Sequence, residues 1–458
     1  MVVPPCIRLI GLHRLACMVI LLLLWAEAFA IGQVPDRPRV IVTTDGEFDD
    51  RCSMVRFLLY ANEFDIRGII HSSSKFHWKG RGAIPGHQWH DVSWIDEHLR
   101  AYAEVYPTLR QHDPAFPSPA YLDSQVYVGN IDLAGDMEEE TPGANRIVEV
   151  LLENDPSPVW LQAWGGSNTI ARALKTIEEK HPEKKKMVSD KARLFLIMLQ
   201  DTTYESYIAA HWPDLPVLVS TAFGSIGYPW KDKVPNEYYT YYQGEWMNQH
   251  LLSDHGPLLD IYRRHLYGGD RNTGDFISEG DSPAFMHAIP TGLRSLEHPE
   301  WGGWGGRFER RKNYWRSAPD DHDKFKAIYR WLPQYQRDMA ARADWCVKPY
   351  AEANHPPRVV TNVEGTLSRL PGERVRLNAQ RSQDPDQDRL SFRWWQYADA
   401  DSYAGSISIE ESSKHYTEFT VPEDARTGDT IHIICEVTDD GTPALTRYQR
   451  IVILVSSE

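Results

Sequence analysis

Short β-branched runs alternate with amphipathic stretches from Val40 to about Val219. This pattern predicts parallel strands joined by crossover helices. Residues 40–43 read as a buried first strand, and Met54, Val55, Leu58 and Leu59 fall on one face of a helix over 49–61. Strands follow at 66–71, 159–164, 194–199 and 217–220, with helices at 92–105 and 145–154, one after Thr169, and one through Ile208. Residues 228–315 are irregular and rich in Tyr, Trp, Gly and His, as in a functional or covering loop region. At Asn354-His355-Pro356-Pro357 the pattern changes. Beyond it, polar and apolar residues alternate at 375–377, 390–395, 406–409, 430–437 and 447–455, the signature of a small β-sandwich.

The first thirty residues stand apart. Arg8 and Arg14 precede an apolar run ending at Trp25, and Ala28-Phe29-Ala30 supplies small residues around a cleavage point. A signal peptide over 1–30 is expected, cleaved near Ala30, which makes the mature chain secreted or periplasmic. The run is too short for a comfortable membrane span, so no membrane association is expected after cleavage. Cys52, Cys346 and Cys435 remain beyond it, widely spaced and odd in number, so burial rather than a disulfide framework must stabilise the core. A single Cys346–Cys435 bridge stays open. The 458-residue chain carries a formal charge of −15 and no basic patch, which disfavours nucleic acid polymers and anionic membranes. Its sixteen tryptophans suit either core packing or stacking on sugar rings.

Just past the first strand, Asp45, Asp49 and Asp50 bring three carboxylates to a strand-to-helix turn. Adjacent acids repel unless a cation sits between them, and calcium, which takes oxygen ligands, fits such a site. An acidic first helical turn matching the helix dipole is the alternative. Gly165-Gly166-Ser167-Asn168-Thr169 places another strand-to-helix turn at the carboxyl edge of the sheet, where ligands bind in such folds. Glu279-Gly280-Asp281-Ser282-Pro283-Ala284 reads as a loop entering a helix.

The run Asp45-Gly46-Glu47-Phe48-Asp49-Asp50 resembles the aspartate-rich signature of the nucleoside hydrolases, Asp-x-Asp-Pro-Gly-x-Asp-Asp, with Thr43 in place of the leading Asp. The stretch from Trp164 to Ala171 resembles that family's Thr-Gly-Pro-Leu-Thr-Asn-Ile-Ala block, and Asp281-Ser282-Pro283-Ala284 its His-Asp-Pro-Leu-Ala block. As a whole the chain is most similar to a secreted bacterial family that joins such a domain to a C-terminal immunoglobulin-like domain and is described as cellulose-binding. Asn62 to Ile66, Trp301 to Arg307, Asp384 to Asp388 and Asp439 to Pro443 carry that resemblance. It implies an α/β fold: a nucleoside-hydrolase-like, mostly parallel sheet with flanking helices over 36–350, then an Ig-like β-sandwich over 355–458.

The resemblance further implies calcium (Ca2+) bound by Asp45, Asp49, Asp50, Asp281 and a backbone carbonyl at Asn168, with Asp45 the catalytic base. Trp164, Asp201 and Glu279 are candidate substrate contacts at the same rim, and Glu279, His255, Asp201 and His77 are candidate acids for the leaving group. The expected ligand is a carbohydrate or nucleoside, with polysaccharide included. Two departures bear on chemistry: Gly280 stands where many nucleoside hydrolases carry histidine, and His71-Ser72-Ser73-Ser74 lacks the asparagine that holds ribose. The implied activity is calcium-dependent hydrolysis of an N- or O-glycosidic bond, and the rival is carbohydrate binding without turnover. In the C-terminal part, Asp384, Asp386 and Asp388 either hold a second calcium or form a polar turn. Trp394 and Trp395 point to opposite faces of their strand.

Overall fold

In a computed structural model, which describes residues 37–266 and 274–457, β1 (Arg39–Thr44) is buried along its whole length. Alternation sends its side chains to two cores. Val40 and Val42 pack with the helix Phe48–Leu59, while Ile41 joins Ile147, Ile170 and Leu174 from the helices Pro142–Leu152 and Asn168–Lys180 on the other face. Such two-sided burial is why the strands are apolar runs without polar alternation.

Following β1 come β2 (Asp65–His71), a hairpin of β3 (Trp78–Arg81) and β4 (Ile84–His87), then β5 (Val126–Val128), β6 (Val159–Ala163), β7 (Ala192–Ile197), β8 (Val217–Ser220), β9 (Phe308–Arg310) and β10 (Trp315–Ser317). Eight of these make one sheet in the order β5-β2-β1-β6-β7-β8-β10-β9, parallel except for β9 against β10. From β1 the chain runs outward through β2 to β5, then returns to lay β6 on the other side of β1. The direction therefore switches between β1 and β6, and such sheets open a crevice at that point. The hairpin, β5, β9 and β10 are not anticipated from the sequence; they are three or four residues long, too short for a periodic signal. The helix expected over 92–105 runs further, Ser93–His112, with Pro107 inside it.

C-terminal residues form β11 (Gly365–Arg369), β12 (Arg374–Asn378), β13 (Ser391–Gln396), β14 (Tyr416–Thr420), β15 (Thr430–Thr438) and β16 (Thr446–Val455). The sheet β11-β16-β15-β13 faces the β12-β14 pair across a core of Val375, Leu377, Trp394, Phe419, Ile433, Cys435 and Ile453. The strand expected at 406–409 is absent. There Ile407 N donates to the Gln396 side-chain oxygen at 2.8 Å, so a side chain takes the place of a ladder partner. Trp394 is core, and Trp395 turns outward against Trp331, ring centroids 6.0 Å apart.

From Pro38 onward the chain forms one compact unit, because the sandwich is docked by buried polar contacts. Arg450 donates to the carbonyls of Leu293 (2.7 Å), Trp301 (2.8 Å) and Gly302 (3.1 Å). Asp338, on the helix Leu332–Trp345, accepts from Arg342 (3.1 Å) and from Arg447 of β16 (2.6 Å). Burial alone would raise its pKa, but Arg447, Arg342 and the Tyr60 hydroxyl outweigh it and hold the carboxyl down at about 2.

Trp301 and Trp304 of the Gly-Trp loop are buried in this docking region, as are Trp164, Trp212 and Trp230 elsewhere. Most tryptophans therefore serve the core rather than an exposed sugar platform. Cys52, Cys346 and Cys435 are all free and buried, which corrects the open Cys346–Cys435 pairing. Among the described residues no helix is long and apolar enough to cross a membrane; the expected signal peptide lies outside them. Replacing Asp338 with Ala strips Arg447 of its carboxylate and leaves Arg342 with Glu63 alone, and is expected to cost about 3–5 kcal/mol. Equilibrium urea denaturation reads this as a lowered midpoint.

Candidate functional site

Four carboxylates meet in the crevice between β1 and β6. The turn after β1 carries Asp45, and the helix Phe48–Leu59 begins there with Asp49 and Asp50 in its first turn. From the far side Asp281 stands at the start of the helix Ser282–Met286. Oxygen atoms of Asp49, Asp50 and Asp281 all lie within 4.8 Å of one another, and all three residues are buried. Asp45 is buried beside Asp50, whose ionisation it opposes.

Neighbours fix some of these oxygens and leave others bare. Thr44 Oγ1 donates to Asp50 Oδ1, Ser278 Oγ to Asp49 Oδ2 at 3.1 Å, and Glu47 N to Asp45 Oδ1 at 3.3 Å. Asp45 Oδ2 and Asp281 Oδ2 are buried with no partner. Burial first, then mutual repulsion, pushes Asp50 and Asp281 well above the usual carboxylate range; burial, then the Glu47 charge, pushes Asp49 up to about 7; burial also raises Asp45. Orphaned oxygens on crowded, desolvated acids are the donor set a hard divalent cation takes, and calcium fits it.

Beside the acids is a cavity of ≈ 210 Å³ at the carboxyl ends of β1, β6, β7 and β8, its wall including Trp164, Met198, Gln200, Phe223 and Asp281. That is small for a drug-sized ligand, whose pockets run ~300–1,000 Å³, and suits one sugar ring. Met198 holds φ +48, a left-handed conformation that costs a non-glycine residue energy and recurs at functional sites. Phe76 and Tyr228, exposed by 39% and 48%, stand at the mouth. Two groups escape the sequence reading. Glu47 lines the cavity and accepts from Tyr228 OH at 3.2 Å, and Ser278 positions Asp49. Glu47 occupies a place the aspartate-rich signature fills with glycine, which was its one visible signal.

Other expected site residues are elsewhere. Glu279 is wholly buried, paired with Arg56 and hydrogen-bonded by Tyr262 and Ser282, so it braces the loop that carries Asp281 and touches no substrate. Asp201 spends its carboxylate on Ser167 Oγ, Thr203 and the Asn168 N–H (2.9 Å), closing the β6 turn. The Asn168 side-chain amide donates to Ser73, Asn130 and Asp136, and its carbonyl belongs to the first turn of the helix Asn168–Lys180, pointing along the axis. His255 pairs with Asp344 at 3.2 Å in a separate cleft. His77 lies behind Glu47 at 3.5 Å. Burial would lower its pKa, but Glu47 and Asp45 outweigh that and raise it.

A family model for the nucleoside hydrolase-like domain of cellulose-binding Sde182 matches residues 39–308, and one for the C-terminal domain of cellulose-binding protein Sde0182 matches 374–455. The chain belongs to this family. Among solved structures, a nucleoside hydrolase-related hypothetical protein from Saccharophagus degradans, associated with carbohydrate metabolism, is 31% identical with a TM-score of 0.77, over 92% of this chain and 100% of that one. An inosine-guanosine nucleoside hydrolase is 13% identical with a TM-score of 0.32, over 56% of this chain and 80% of that one. No curated protein matches the chain. The sheet with flanking helices and the C-terminal sandwich are thus those of the Sde182 family, as the sequence patterns imply.

In this Sde182 family member the position where nucleoside hydrolases carry histidine is closed. A Cβ on Gly280 would stand 2.5 Å from Asp49 Oδ2, and one on Gly165 2.9 Å from the Asp45 carboxyl. Both glycines let backbone approach the acids. Gly280→Ala is expected to displace Asp49 and weaken calcium binding by about tenfold or more, measured by isothermal titration.

The raised pKa of Asp49 sets a pH dependence. Its stabilising contribution is complete below the ordinary carboxylate range and is lost as pH rises through about 7. Cation-free protein should therefore melt lower at pH 8 than at pH 5, less so in Asp49→Asn. Calcium, which needs ionised ligands, should stabilise more at pH 8. Differential scanning fluorimetry checks each.

Proposed function

We propose that the protein is an exported, calcium-dependent hydrolase of a glycosidic bond in a carbohydrate. The observation that carries this reading is the meeting of Asp49, Asp50 and Asp281 within 4.8 Å at the sheet's switch point, beside a sugar-sized cavity. The family's description as cellulose-binding and the relative associated with carbohydrate metabolism support a saccharide rather than a nucleoside. Export is supported by the basic-then-apolar leader pattern.

Asp49, Asp50 and Asp281, with Asp45 beside them, would hold the cation. Calcium when bound supplies templating, aligning a water and vicinal sugar hydroxyls and modestly acidifying the water. Asp45, whose Oδ2 has no protein partner, accepts the water's proton as the water oxygen bonds to the anomeric carbon and the glycosidic bond breaks, and the leaving oxygen takes a proton from solvent at the mouth of the cavity. Trp164 and Phe223 form apolar wall, and Glu47 with Tyr228 offers polar contacts to hydroxyls.

A second reading, saccharide binding without turnover, is favoured by Gly280, which leaves no proton donor for the leaving group at that position. Binding needs only hydroxyl coordination and the aromatic mouth.

The purified mature protein is to be assayed with calcium on nucleosides and oligosaccharides, beside Asp49→Ala and a chelated control. The hydrolase reading expects release of reducing sugar that falls about 100-fold or more in the variant and stops on chelation. Sugar binding equal in both proteins with no reducing sugar released overturns it in favour of the second reading.

A further inference from the structure

The chain crosses from the body to the sandwich beside a row of polar groups drawn from both parts. His112 closes the helix Ser93–His112, His355 sits in the connecting segment after Asn354, and Asp386 belongs to the sandwich turn before β13. His112 Nε2 meets the Lys348 carbonyl at 2.8 Å, His112 Nδ1 meets His355 Nε2 at 2.9 Å, and His355 Nδ1 meets both Asp386 oxygens at 3.0 Å. Both histidines are buried, 8% and 4% exposed, so the row must satisfy itself.

Counting protons along the row fixes its charge. A carbonyl only accepts, so His112 Nε2 carries a proton. Asp386 accepts as well, since its Oδ2 also takes the His355 backbone N–H at 2.7 Å, so His355 Nδ1 carries the second. Two neutral imidazoles then have no proton left, and the inner nitrogens would face each other as bare lone pairs at hydrogen-bonding distance. The three contacts stand together only if a third proton lies between the rings, which makes the pair a cation.

The surroundings suit that cation on His355. Its ring stacks on Tyr350, centroids 3.9 Å apart, and on Trp345 at 5.1 Å, and aromatic faces attract cations at this range. Burial first holds His112 below the usual imidazole range, which leaves the charge to the ring beside the carboxylate. The other charged groups around the row do not displace it. Asp344 takes His255 at 3.2 Å and the Lys348 ammonium at 2.9 Å, and Asp439 Oδ1 takes the Asn354 amide at 3.1 Å. Asp384 Oδ1 takes the backbone N–H groups of Asp386 (2.8 Å) and Asp388 (3.1 Å), so the stretch Asp384 to Asp388 is a polar turn, to which Asp388 adds negative charge. Burial, then the Asp386 and Asp384 charges, raises the Tyr350 hydroxyl, which stays neutral.

We propose that one proton shared between His112 and His355 latches the connecting segment to the body, and that this latch opens as the surroundings turn alkaline. The folded row holds a proton that unfolded imidazoles release, so its stabilisation is complete just below about pH 6.5 and is lost as pH rises further. Arg447 and Arg450 hold the sandwich elsewhere, so the opening is local.

Ring-nitrogen NMR of the full mature chain, carrying isotopically labelled histidine, tests this near pH ~6 and near pH ~9. In mild acid the two rings are expected to show three protonated nitrogens and a coupling across the N–H···N contact; in alkali that coupling disappears. Hydrogen exchange, corrected for its intrinsic rate, reads the consequence: protection of the His355 amide should fall about tenfold or more between the two conditions. His112→Phe keeps a ring against Trp345 but takes no proton, so its profile should be flat. Asp386→Asn keeps an accepting oxygen without the charge and should open at lower pH. The proposal is overturned if the two rings together carry only two protons in mild acid, if the His355 amide loses no protection in alkali, or if His112→Phe shows the same fall as wild type. The proton count is made on the wild-type chain, so it decides the matter even where a variant fails to fold.

Discussion

Repulsion among buried carboxylates governs this molecule. Asp45, Asp49, Asp50 and Asp281 come from segments more than 200 residues apart, yet the fold presses them together out of water. Among the described residues no Lys or Arg forms an ion pair with them: Arg51, beside Asp50, donates to the Gly46 carbonyl at 3.1 Å, and Arg56 is spent on Glu279. A fold that only had to be stable would replace such acids with apolar groups of similar size. Their retention makes sense when the completed site contains an ion, and the architecture around them serves that end. Two helix N-termini point partial positive charge at the cluster, Thr44 and Ser278 fix single oxygens, and two glycines let the backbone close in without touching. The Arg56–Glu279 pair anchors the loop that delivers Asp281.

Much of the site was legible because its key spacing is local. Asp45, Asp49 and Asp50 are set by one strand-to-helix turn, and any sequence with that spacing after a buried strand puts acids on the rim. Asp281 was legible only through its motif. What the sequence could not convey were fates decided by distant partners. Glu279 looks like any acid near a pocket, and only Arg56, 223 residues away, turns it into a brace. Asp201 and the Asn168 amide look equally available until the loops that consume their hydrogen-bonding capacity are in place. Trp301 and Trp304 could not be told from stacking tryptophans for the same reason: the surface that buries them includes a separate sheet, docked through Arg450.

Of the fold, the long central strands were readable from two-sided burial, which forces uninterrupted apolar runs. The edge strands were not, since three-residue segments such as Phe308–Arg310 take their conformation from the sheet they complete. Residues 406–409 alternate like a strand, yet a glutamine side chain took the hydrogen bond a neighbour strand would have made. Both errors have one origin: periodicity reports which face is buried, and says little about what satisfies the backbone.

The seating of the sandwich has a mechanical consequence. Arg447 and Arg450 project from β16 into the body and are held there by a carboxylate and three carbonyls. A joint of this kind has no swivel. Whatever one part of the molecule meets, the other is presented at a fixed bearing, with its orientational entropy already surrendered at folding. A load on the sandwich would therefore travel through the joint as torque instead of dissipating in a slack tether.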